Sequence, residues 1–224
     1  SVLRKIYFDN ARRLLAASLP KPVLVAQHLT QELDITGADL SHPAWQTTQP
    51  GHLEQQSKDA QSRPLLSTKI RALWSDQFLY IAYEAPFRAL TTFEPPKLEG
   101  ERIGLWERDV VEMFLGSNPE ELNRYKEFQV APTGERLDLS LALPERNFEW
   151  FSKWETAVRV NETTKTWTTI MRIPLGALAD ERPIKGDQWP VNFYRVDKAQ
   201  EGYLAWNPTL EGSFHAPGRF GWLR

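Results

Sequence analysis

The chain contains no cysteine, which excludes thiol catalysis, a disulfide scaffold and Cys-based zinc sites. Its four histidines, His28, His42, His52 and His215, stand apart with no His-x-His or His-Glu-x-x-His spacing, so they offer no metal set and are read as surface residues. A Gly-x-Ser-x-Gly elbow and a glycine-rich phosphate loop are also missing, which leaves nucleophilic hydrolysis and nucleotide binding without a motif. No apolar run approaches the ~18 residues of a membrane-spanning helix. Charge of one sign is lacking as well: the formal net charge is -2 and Lys and Arg are scattered, so neither nucleic acid nor a membrane is an expected partner.

What the chain has is length and tryptophan. Its 224 residues suit one β-domain with a terminal extension. A chain of this size buries about two-thirds or more of its unfolded surface and can fold without disulfides. Nine tryptophans and sixteen prolines suit strands joined by stiff turns.

Leu3, Ile6, Tyr7, Ala11, Leu14 and Leu15 recur at helical spacing until Pro20 and Pro22 stop the pattern, which predicts one amphipathic helix over residues 2 to 18. The period then changes to two. Ile70, Ala72 and Trp74 alternate with Lys69 and Arg71, Ser75-Asp76-Gln77 makes a turn, and residues 78 to 84 resume as a strand, so a hairpin is expected. Further strands are predicted at 110 to 115, 126 to 130, 136 to 143, 154 to 160, 167 to 173, 191 to 196, 203 to 206 and 220 to 223. Short strands at this spacing predict an all-β, jelly-roll-like antiparallel β-sandwich. Residues 1–22 are expected to form a helix and linker left from an upstream domain, and residues 23–224 the sandwich. The polar stretch from Leu40 to Arg63 reads as a long loop, and Pro119-Glu120-Glu121-Leu122 as a helical turn.

Alternation assigns Trp74, Trp154, Trp167, Trp189 and Trp206 to packing, as it does Met113 and Met171, which also removes the methionines as haem ligands. Asp109 and Glu112, three apart in an extended strand, face opposite ways and cannot flank one glycosidic bond. Asp109 is expected to find a structural partner, with Arg195 as the candidate.

The run Leu105-Trp106-Glu107-Arg108-Asp109-Val110-Val111-Glu112-Met113-Phe114-Leu115 resembles the signature strand of the family 9 carbohydrate-binding modules, in which a tryptophan precedes Asp-x-Val-Glu. Three further stretches match in order: Leu73 to Ala82, Phe128 to Gly134, and Trp206-Asn207-Pro208-Thr209 through Gly212-Ser213-Phe214 to Gly221. The resemblance implies a DOMON-like sandwich whose ligand, an oligo- or polysaccharide, lies between two aromatic rings. By motif position those rings are Trp106 and Phe214, the latter where tryptophan is usual. Glu112 matches a carboxylate that accepts sugar hydroxyls; standing alone it would read as a solvated strand residue. Gln129 occupies the place of an arginine, where its amide would give a donor to a hydroxyl oxygen, and Glu211 that of an asparagine. No residue can be assigned to the family's structural calcium, and no cofactor is expected.

A second resemblance is shorter: Lys5-Ile6-Tyr7-Phe8-Asp9-Asn10-Ala11-Arg12-Arg13-Leu14-Leu15 is similar to the closing helix of amidohydrolase-type metal-dependent hydrolases. It implies a covalently linked hydrolase domain, with this chain as a non-catalytic glycan-targeting module outside the cell or in a periplasm. The alternative is a structural accessory domain with no sugar affinity, docked on its own enzyme.

Overall fold

A computed structural model describes residues 18–179 and 183–224, besides the single residue Ala11. The N-terminal helix expected from periodicity, and with it the amidohydrolase-like stretch, falls outside the described residues apart from Ala11 and Ser18.

Among the described residues the chain forms fifteen strands: β1 (Val23–Leu24), β2 (Gln27–His28), β3 (Gly51–Leu53), β4 (Gln55–Gln56), β5 (Thr68–Trp74), β6 (Phe78–Pro86), β7 (Val110–Leu115), β8 (Arg124–Val130), β9 (Arg136–Ala142), β10 (Glu145–Asn147), β11 (Glu155–Asn161), β12 (Thr166–Pro174), β13 (Trp189–Asp197), β14 (Gly202–Ala205) and β15 (Gly221–Leu223). Two short helices, α1 (Pro43–Thr47) and α2 (Leu175–Leu178), interrupt them. The larger sheet runs β1-β15-β13-β7-β8-β9-β10, with β14 on the same edge of β13 as β15 and β4 beyond it. The smaller runs β11-β12-β6-β5-β2, and β3 also pairs with β5.

Period-two alternation makes the two sheets a sandwich. Val111, Met113 and Leu115 of β7, Phe128 and Val130 of β8, and Val191 and Phe193 of β13 point inward to meet Ile81, Tyr83, Trp167 and Met171 of the smaller sheet. Burying one such side chain contributes roughly 1.5–3 kcal/mol. Arg195 also points inward. It is paired with Asp197 at 2.7 Å and donates to the Thr68 hydroxyl at 2.8 Å, which satisfies an otherwise costly buried charge.

The outer faces differ. On the smaller sheet, Leu73, Tyr80, Ala82 and Ile170 are covered by Leu33, Ile35, Leu40 and Trp45 from the preceding chain. On the larger sheet, Val110, Phe114, Tyr125, Leu137, Leu139, Tyr194 and Val196 form a second apolar layer, partly roofed by Phe93, Phe148 and Phe214. That incomplete roof is where the cleft described below opens.

The all-β sandwich stands as expected, with two corrections to its antiparallel pairing: β1 runs parallel to β15 and β2 parallel to β5. Each of these edge pairings spans two residues, too short to show any period. Leu40 to Arg63 is not one loop but holds α1, β3 and β4; His42 caps α1 by accepting from the Ala44 N–H, and Trp45, fully buried, anchors it. Pro119 to Leu122 forms turns rather than a helical turn, held by the Glu121 N–H to the Asn118 carbonyl at 3.2 Å.

Candidate functional site

Strand register assembles the site. Tyr194, Glu112, Gln129 and Leu137 lie side by side in one row across β13, β7, β8 and β9, and Asn192, Phe114, Glu127 and Leu139 form the next row. All eight sit on the outer face, so the two glutamates are diagonal neighbours on adjacent strands. Above them is a cleft of about 310 Å³ lined by Trp106, Glu112, Glu127, Gln129, Phe214 and His215, with Arg146, Lys198 and Tyr203 also in its walls.

Trp106 is not in the strand. It lies in a single 3-10 turn, Leu105–Glu107, closed by the Glu107 N–H to the Gly104 carbonyl at 3.0 Å. Gly104 enters this turn at φ 87°, a left-handed conformation that a Cβ would strain. Leu105 is fully buried in the outer layer while its neighbour Trp106 is 37% exposed, so the turn anchors one side chain and presents the next. Asp109 fixes the turn's exit: its carboxylate accepts from the Thr91 N–H at 2.9 Å and the Lys198 N–H at 2.8 Å. The expected partnership of Asp109 with Arg195 is thereby corrected. Backbone donors already fill the carboxylate, and Arg195 pairs with Asp197 instead.

Phe214 comes from the loop before β15. Its ring is stacked on Tyr194, centroids 4.3 Å apart and planes 11° apart, and the Tyr194 hydroxyl donates to the Phe214 carbonyl at 2.8 Å. The base of the loop is tied by Asn207, whose amide donates to the Arg219 carbonyl at 2.7 Å and accepts from the Arg219 guanidinium at 2.6 Å. Trp106, Glu112, Gln129 and Phe214 therefore share one cleft. Glu211 does not line it; that side chain is exposed beside Gly212, the loop residue that does.

Glu112 is 2% exposed, not a solvated strand residue, because Val110 and Phe114 flank it on the same face. Neither of its carboxylate oxygens receives a hydrogen bond, and Oε1 is wholly enclosed. Burial first, and then the Glu127 charge, push its pKa well above the ordinary carboxylate range. Glu127 is raised to about 7, chiefly by burial; the Gln129 amide, donating to its Oε1 at 2.5 Å, opposes that shift. Gln129 thus directs one of its amide N–H groups to Glu127, and its own Oε1 is left without a partner.

Sequence reasoning missed Glu127, His215, Arg146 and Lys198. His215 is not a plain surface residue: its ring stacks on Phe114 at 5.0 Å, its Nδ1 meets the Tyr125 hydroxyl at 2.7 Å, and its Nε2 lies 4.0 Å from Glu127 Oε2. Burial, and secondarily the Arg146 charge, lower its pKa to about 4, so it is neutral at pH 7. The alternation of Tyr125, Glu127 and Gln129 along β8 was the one available signal that Glu127 shares a face with Gln129.

A larger hollow of about 760 Å³ lies between β2, Trp74, Trp189 and residues 183 to 187. Among the described residues that line it, it gathers no comparable set of buried carboxyls. Among the described residues no cluster of three or more His, Asp or Glu is arranged to hold a metal ion, and no helix is long and apolar enough to cross a membrane.

Comparison with known proteins matches residues 37–224 to the family described as carbohydrate family 9 binding domain-like. A protein of Arthroderma benhamiae named extracellular protein is 26% identical over 176 residues, which span 70% of this chain and 78% of that one. Endo-1,4-beta-xylanase A of Thermotoga maritima is 25% identical over 162 residues, 70% of this chain but 14% of the xylanase. Among solved structures, a family 9 carbohydrate-binding module from Caldicellulosiruptor kristjanssonii in complex with cellotriose shares the fold at a TM-score of 0.65 and 14% identity, covering 91% of this chain and 93% of that one.

Proposed function

This chain belongs to the carbohydrate family 9 binding domain-like family, and we propose from that premise that its outer-face cleft is a glycan-binding site with no catalytic step. The observation that carries the reading is the joint placement of Trp106, Phe214 and Glu112 around one cleft. A sugar presents an apolar C–H face and a rim of hydroxyls; an aromatic ring covers the first and buried acceptors order the second. Each stacking ring contributes on the order of 1–2 kcal/mol, and ordering costs then leave affinities between ~1 mM and ~1 μM. Glu112 accepts from ligand hydroxyls, Gln129 acts by orienting Glu127, and Glu211 contributes at most at the rim.

Family membership makes the domain non-catalytic, and Glu112 and Glu127, the carboxyls among the described residues lining the cleft, lie as diagonal neighbours on one face of one sheet. The natural setting we infer is outside the cell, as the name of the Arthroderma relative suggests, with residues 23–224 as the module and a hydrolase covalently joined to it, as in the Thermotoga xylanase of which the matched segment is a small part. Such a module raises the effective concentration of the enzyme at its substrate. Affinity electrophoresis through gels containing soluble xylan, β-glucan or chitosan tests the reading: retardation by at least one glycan is expected, and unretarded migration in all of them, alongside insoluble cellulose and chitin that fail to deplete the protein, would overturn it.

A further inference from the structure

The floor of the cleft is built around two carboxyl groups and an amide that have unfilled acceptor oxygens. Glu112 has neither carboxylate oxygen bonded, Glu127 has Oε2 enclosed and without a partner, and Gln129 has Oε1 in the same condition. Several donors nearby are committed elsewhere: one Gln129 N–H to Glu127, the Tyr194 hydroxyl to the Phe214 carbonyl, and the Asn192 amide to Tyr194 and the Asn207 carbonyl. Positive charge stands in the walls rather than on the floor. Lys198 acts on Glu112 and the exposed Arg146 on Glu127 through space, without an ion pair to either, and Lys198 extends toward the Tyr203 hydroxyl at 3.3 Å. His215, 4.0 Å from Glu127, is uncharged at neutral pH.

Such a floor asks its ligand for donors and for positive charge. A sugar hydroxyl brings one donor and no charge. An N-acetyl group brings one N–H, a carbonyl that is a further acceptor, and no charge. A protonated amine brings three donors, no acceptor and the missing charge, and hydrogen bonds between ionised partners are roughly twice as strong as neutral ones. We propose that the floor of this cleft is a subsite for the protonated amine of a 2-amino-2-deoxy sugar, held between Glu112 and Glu127 while the sugar ring lies on Trp106. Burial favours the protonated carboxyls in the empty cleft, so the arriving ammonium is bound with release of a carboxyl proton to the solvent. Free-amine glycans, rather than neutral or N-acetylated ones, are then the preferred class.

The inference rests on the glycan-binding reading, and one titration series separates the two. Calorimetry at about pH 6, where a sugar amine is protonated, compares tetramers of β-1,4-linked glucosamine, glucose and N-acetylglucosamine on the full chain. The glucosamine tetramer is expected to bind at least about tenfold more tightly than either of the others. Glu112→Gln and Glu127→Gln, nearly isosteric, are each expected to bring the ratio of glucosamine-tetramer to glucose-tetramer affinity close to one, whatever either does to the affinity for glucose itself. If the glucose or N-acetylglucosamine tetramer binds as tightly as the glucosamine tetramer, the amine subsite is wrong and glycan binding stands. If the preference survives in both variants, the attraction arises elsewhere and the subsite is likewise wrong. Absence of binding to all three, with no retardation on any glycan gel, removes both readings together.

Discussion

Phe214 lies flat on Tyr194, with ring centroids 4.3 Å apart, and hangs from it by a 2.8 Å hydrogen bond between the Tyr194 hydroxyl and its own carbonyl. The second aromatic wall of the cleft is therefore held from beneath by a residue of β13, in the row that carries Glu112. One contact positions the ring and the other the backbone.

Tyr194→Phe separates them. It keeps the stack and removes both the tether and the acceptor of the Asn192 amide, so a glycan affinity loss of about three- to tenfold is expected with a stability loss of about 2 kcal/mol, the usual worth of two hydrogen bonds. Calorimetry with a bound glycan and urea unfolding check the two numbers. An unchanged affinity would mean that the Phe214 loop is placed by Asn207 and Arg219 alone.

Stability responds to pH through the same cleft. Glu127 is raised from 4.5 to about 7, so its contribution is fully present below about pH 4.5 and is lost as pH rises through about 7, on the order of 3 kcal/mol in all. Glu101, raised to about 8 chiefly by burial beside Asp138, adds a loss of the same sign. His215 acts oppositely: lowered from 6.5 to about 4, it favours the folded state above 6.5, and that advantage is lost as pH falls toward 4. Glu127→Gln is therefore expected to flatten, without abolishing, the decline in melting temperature between pH 5 and pH 8. A steeper decline in the variant would contradict the assignment.

Arg195 tests the interior apart from the cleft. Arg195→Met leaves Asp197 buried without its cation, and a loss of about 3–5 kcal/mol is expected in urea unfolding. A loss under about 1 kcal/mol would show that Asp197 is held well enough by the Gln200 N–H at 3.0 Å.

Much of this was legible from sequence because sheets write themselves in period two. The inward row Val111, Met113, Leu115 and the outward row Val110, Glu112, Phe114 follow from alternation alone. The two-residue strands β1, β2 and β4 and the exposed β10 carry no such period, and β10 brings Arg146 to the cleft. The surroundings of Glu127 and His215 were illegible for another reason. Their neighbours come from strand register and from a loop 90 residues away, as in the Tyr125 to His215 contact, and no spacing along the chain records that distance. Trp106 was placed in the site by its motif, and the turn that presents it, ahead of the strand predicted over 110 to 115, carried no signal in the period.

The central claim is that Trp106 is half of a sugar platform rather than a packing residue. Its neighbour Leu105 bears the anchoring, so Trp106→Ala is expected to keep its melting temperature within about 2 °C while losing at least about tenfold in affinity for the best-bound glycan by isothermal titration calorimetry. Equal affinities of wild type and Trp106→Ala for every glycan that binds would contradict the account.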